Sequence, residues 1–93
     1  FWDAYEYIEM QASGDRRTVL NHSREESRIA INLNEFIQKA GYFGQQVPDI
    51  GDLRRLLVES KRHKFISANT AVNSAIRSTQ TTSTTVKCWV FQK

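Results

Sequence analysis

The apolar positions of the chain fall into helical stripes first and a strand-like run last. Phe1, Tyr5, Ile8 and Ala12 recur at spacings of four, three and four, which predicts one helix face. Gly14 offers its stop. Residues 15–27, DRRTVLNHSREES, are mostly polar and read as a short helical turn plus an exposed connection. Residues 28–32, RIAIN, are short and β-branched and suit a brief strand.

A second helix opens at Asn32. Its side chain can accept from the backbone N–H near Glu35, and Glu35 can reach back, a capping box with Asn as the cap. Leu33, Phe36, Ile37 and Ala40 follow at i, i+3, i+4 and i+7. Gly41 and Gly44 offer stops, and Pro48 disfavours a helical Val47. Asp49 then suits the N-cap of a third helix, and Asp52 sits in its first turn, where the helix dipole favours negative charge. That helix is expected over residues 50–62. At about 100° per residue, Ile50, Leu53, Leu56 and Leu57 share an aliphatic face. Arg54, Arg55, Val58, Lys61 and Arg62 share the opposite one, with Glu59 at its edge.

The C-terminal stretch reads as β-structure. Residues 86–91, VKCWVF, are rich in strand formers and apolar on both faces. The Ser/Thr/Gln tract over residues 78–85 has no hydrophobic anchor and reads as an exposed hairpin loop, with residues 65–76 as the other arm. Within that arm residues 69–76 are ambiguous. Val72 and Ile76 fit a strand face or a short helix containing Ala71 and Ala75. There is no internal repeat.

Composition narrows the classes. The 93 residues fit one domain, and 40% apolar with 25% charged residues is ordinary globular composition. No apolar run is long enough to span a bilayer, so no membrane partner is expected. The opening FWDAYEYIE does not have the composition of a signal or transit peptide. A single cysteine, Cys88, excludes an intrachain disulfide framework and a multi-cysteine zinc site, and it favours an intracellular setting. A start at Phe1 rather than Met points to a fragment of a longer chain.

Charge adds a direction. Net charge is +3, but residues 1–50 carry five Lys/Arg against eight Asp/Glu, whereas residues 51–93 carry eight against two. That asymmetry points to a polyanionic partner for the C-terminal half, with a merely solvated basic surface as the plain alternative.

The order helix, strand, helix, turn, basic amphipathic helix and strand–loop–strand predicts an α+β winged helix-turn-helix, the hairpin loop being the wing. If the leucines after Pro48 dock the third helix, its cations face outward and can neutralise phosphates. Arg54 or Arg55 could then reach guanine edges, and wing hydroxyls could bond phosphate or sugar. The expected contact set is Arg54, Arg55, Lys61 and Arg62, flanked from the wing side by Lys64, Arg77 and Lys87. The alternative is the same fold used for protein contact or oligomerisation, the acidic half of one copy meeting the basic half of another.

Several segments carry a resemblance: Phe1-Trp2, residues 31–36 (INLNEF), Pro48-Asp49 with residues 53–57, residues 60–66 (SKRHKFI) and residues 86–91. Together they resemble the small winged-helix-like domain that follows the superfamily 3 helicase in primase-helicases of phages, mobile elements and poxviruses. The resemblance implies an accessory domain of a DNA replication protein, engaging origin or template DNA beside neighbouring subunits or domains. The Walker A and Walker B elements of such a parent are not in these residues.

The remaining candidates have plainer readings. His22 and His63 lack a nearby cysteine at metal-ligand spacing, so no metal is expected, and His63 reads as part of the basic helix end. Cys88, inside an apolar strand, reads as a buried thiol rather than a nucleophile. Asp3, Glu6, Glu9, Glu25 and Glu26 read as solvated surface. Trp2, Trp89 and Phe91 could stack bases, but their periodic settings favour the core. No glycine-rich phosphate loop is present. The expectation is a non-catalytic module without a cofactor.

Overall fold

The computed structural model describes residues 1–13, 19–76 and 82–93. Gly14, residues 15–18 of the expected connection, Arg77 and residues 78–81 of the expected loop lie outside the described residues. The elements run α1 (Trp2–Ser13), β1 (Arg28–Ile31), α2 (Leu33–Tyr42), α3 (Ile50–Leu57), β2 (Phe65–Asn73) and β3 (Thr85–Gln92). Among the described residues, three helices and one three-stranded antiparallel sheet make a small α+β domain, with strand order β1-β3-β2.

Period-two alternation on β1 and β3 gives the sheet two apolar faces. Ile29, Ile31, Trp89 and Phe91 join Tyr5, Ile8, Leu33, Phe36, Leu53 and Leu57 from the helices in the main core. Ala30, Val86, Cys88 and Val90 form a second cluster with Val72. Cys88 is a fully buried free thiol. Trp2 anchors the aromatic part of the main core, edge-on to Tyr5 and Phe91 at centroid separations of 5.4 and 4.9 Å. Trp2, Trp89 and Phe91 are therefore core residues.

The local signals set the helix starts. Asn32 Oδ1 accepts from Glu35 N at 2.9 Å, and Asp49 Oδ1 accepts from Asp52 N at 3.1 Å. Gly44, with φ +70°, takes the left-handed conformation just after α2, which costs a glycine least. The ambiguous stretch is strand as far as Asn73. Its pairing with β3 slips between Phe65 and Ser67 and again between Ser67 and Thr70, and Asn69 bends the strand with φ +50°.

Four expectations need correcting. First, α3 stops at Leu57 rather than reaching residue 62. Glu59 N and Ser60 N bond back to Leu56 O and Leu57 O, closing tight i→i+3 turns. Trp2 Nε1 donates to Ser60 Oγ at 2.9 Å and holds that turn against α1. Second, Leu56 is 59% exposed: it lies at the edge of the aliphatic arc, and α3 buries Leu53 and Leu57 with Ile50 beside them. Third, residues 20–22 are buried rather than an exposed connection. Glu9 Oε1 accepts from Val19 N and Leu20 N, and His22 N donates to Ala30 O on β1. Fourth, His63 is not at a helix end. It packs on Trp2 at 4.5 Å, and its Nδ1 lies 3.3 Å from Gln92 O.

Candidate functional site

The early stop of α3 rearranges the expected cationic face. Arg54 and Arg55 remain on α3 and are exposed. Lys61, Arg62 and Lys64 sit instead in the turn that joins α3 to β2. The reason for a single helical face across all of them has gone, and their grouping now depends on how the turn is held.

Two of these arginines carry internal ion pairs. Arg55 Nη2 bonds Asp52 Oδ1 one turn earlier on α3. Arg62 Nη1 donates to Asp3 Oδ1 at 2.9 Å, and its Nη2 donates to Glu6 Oε1, so two carboxylates of α1 clamp it. The expectation that both guanidinium groups face water without a partner is corrected on this point. Helix α1 places its acids at i and i+3, opposite the turn that Trp2 has already docked. Asp3 and Glu6 are thus paired acids rather than isolated surface charges.

The ionisation of these groups follows the pairing. A side-chain hydrogen bond with Asp49 is the largest cause holding the Asp52 carboxyl below its usual 3.8, and Arg55 adds to it. Hydrogen bonds to Asp3, then Glu6, raise Arg62 above its already high ordinary value, so it stays charged.

Arg54, Lys61 and Lys64 are exposed and have no carboxylate partner among the described residues. Lys87 is also exposed, but it is set apart. Lys64 O accepts from Gln92 N, and Lys87 lies five residues up β3 from Gln92, which at ~3.4 Å per residue is about 17 Å. The N-terminal end of α3 carries Asp49 and Asp52, so the helix end that usually meets base edges is acidic here.

A pair of sites was not visible in the sequence. His22 is fully buried, with Nδ1 2.6 Å from Ser74 Oγ and Nε2 2.7 Å from Glu35 Oε1. This is a serine–histidine–carboxylate chain in composition only. Ser74 is fully buried, and its Oγ also accepts from Ile76 N, so no substrate atom can approach the hydroxyl. The trio ties the segment after α1 to α2 and the hairpin. A polar stretch with one histidine gave no signal of partners so distant in the chain.

An open groove of about 250 Å³ crosses the second face of the sheet, with Arg24, Arg28, Thr70, Val72 and Val90 among its walls. Its arginines are already engaged. Arg24 Nε donates to Asn73 O at 3.2 Å, and Arg28 pairs with Glu25 at 3.1 Å. Among the described residues no cluster of three or more His, Cys, Asp or Glu could hold a metal ion, and no helix is long and apolar enough to cross a membrane.

The chemistry that this arrangement offers is the capture of anions by a short basic segment beside α3. Comparison of the chain with protein-family models, with curated proteins and with solved structures finds no match, so its own residues carry the functional reading.

Proposed function

We propose that the chain is a non-catalytic DNA-binding module of winged-helix type, working as an accessory domain of a replication protein of the primase-helicase kind. One observation carries the reading. Arg54, Lys61 and Lys64 are exposed along α3 and the turn after it, with no carboxylate partner among the described residues. Cations so placed release counterions when they meet phosphates. The order of three helices, an early strand and a C-terminal hairpin supports the winged-helix assignment. Asp49 and Asp52 repel phosphate at the start of α3, so the backbone contacts fall to the cations nearer its end and in the turn after it. Lys87 serves as an outlying contact from the hairpin.

The test is a salt series of duplex binding with the parent and an Arg54→Ala/Lys61→Ala/Lys64→Ala variant. Losing three phosphate contacts should flatten the log–log salt slope by about 2.7, while the melting temperature stays close to that of the parent. Equal affinity and slope in parent and variant would overturn the assignment.

A second reading is supported by exposed apolar side chains. Met10 on α1 and Leu56 on α3 face solvent, at 73% and 59% exposure, as they would in a protein-contact domain. Gel filtration beside the binding assay separates the two. An oligomer indifferent to DNA favours this second reading.

A further inference from the structure

We propose that Asp3 and Glu6 occupy a phosphate site at Arg62, so that helix α1 carries a built-in competitor for the nucleic-acid backbone. The inference rests on the DNA-binding reading above and adds a site and a means of attenuation to it.

The geometry supports it in three steps. Arg62 lies between Lys61 and Lys64 in the basic turn, where a backbone phosphate would be neutralised. Its guanidinium fork donates to two anionic oxygens, one from each α1 carboxylate, and the same fork can donate to two oxygens of one phosphate. The clamp is open to solvent: the side chains of Arg62, Asp3 and Glu6 are 45%, 96% and 53% exposed. Ion pairs this exposed are weak and exchangeable, so a phosphate can take the carboxylates' place without unfolding anything.

The carboxylates act through that guanidinium. Held on Arg62, their two negative charges offset its positive charge. A nucleic acid must displace them from Arg62, and until it does the turn presents fewer free cations than its sequence contains.

The test compares the parent 93-residue chain with Asp3→Asn/Glu6→Gln and with the same pair plus Arg62→Ala, on one DNA duplex of mixed sequence across a salt series. Thermal melts accompany each, and Asp3→Asn alone serves if the double variant melts early. The neutralised variant should bind about twofold to thirtyfold more tightly, the span of two exposed ion pairs. Its salt slope should be steeper by about 0.9, one added phosphate contact, and Arg62→Ala should cancel both gains. If the parent binds duplex and neutralisation changes nothing, the competitor is wrong and the DNA-binding reading stands. A gain that survives Arg62→Ala also overturns it, since the effect then does not act through that guanidinium. If no version binds duplex, both proposals fall.

Discussion

His22 Nδ1 lies 2.6 Å from Ser74 Oγ, joining side chains that are 52 positions apart in the chain. The other ring nitrogen, Nε2, lies 2.7 Å from Glu35 Oε1, so the imidazole bridges serine and carboxylate. Every polar atom of this buried trio is then matched, and its cost of burial is offset only while all members are present. Ser74→Ala should leave a buried ring nitrogen unsatisfied and lower stability by about 1–3 kcal/mol. Urea unfolding measures this, and a loss below about 0.5 kcal/mol would contradict the buried chain.

Neighbouring leucines on α3 should respond oppositely. Leu57 is 3% exposed and lies in the main core, so Leu57→Ala should cost about 2–5 kcal/mol. Leu56→Ala should stay within about 0.5 kcal/mol, as surface substitutions do. Comparable losses at the two positions in chemical denaturation would mean that α3 is rotated from the orientation described.

Asn32 serves two elements at once. Its Oδ1 caps α2, and its Nδ2 donates to Lys87 O on β3 at 3.0 Å. Asn32→Ala should therefore cost about 1–2 kcal/mol, at the upper end for an N-cap. Asn32→Asp keeps the cap and loses the donor, so its midpoint in a thermal melt should fall between those of the parent and the alanine variant.

Asp52 predicts an acid limb. Its folded pKa is lowered below 3.8 by the side-chain hydrogen bond with Asp49 and then by Arg55. Stability from this group is present above 3.8 and is lost as pH falls through the lowered folded value. Melting temperature against pH should show a drop in that range that is shallower in Asp52→Asn. Parallel curves for the two proteins would remove the linkage.

The elements with local causes were legible in the sequence. Asn32, Asp49 and Gly44 fix helix ends through their own side chains or backbone freedom, and the strand formers of residues 86–91 need only a partner. The end of α3 was not legible. Periodicity continued through Arg62, but Trp2 and the α1 carboxylates, nearly sixty positions away, draw residues 60 and 62 out of the helix. Leu56 looked like a core residue because it shares an arc with Leu53 and Leu57, but it lies at the edge of that arc and α3 buries the centre. His22 was unreadable for the same reason as Arg62. Its partners come from α2 and from the residue just after β2, and neither leaves a mark in the polar stretch around it.

Strand β3 is the latest in sequence and the middle one in space, pairing Gln92 with Arg28 and Asn73 with Thr85. On a ribosome, β1 and β2 would emerge with nothing between them to bond, and the helices would have only half a floor to rest on. The domain must therefore close late and all together, and removing the last few residues through Trp89 should leave a chain that does not fold rather than one lacking an edge.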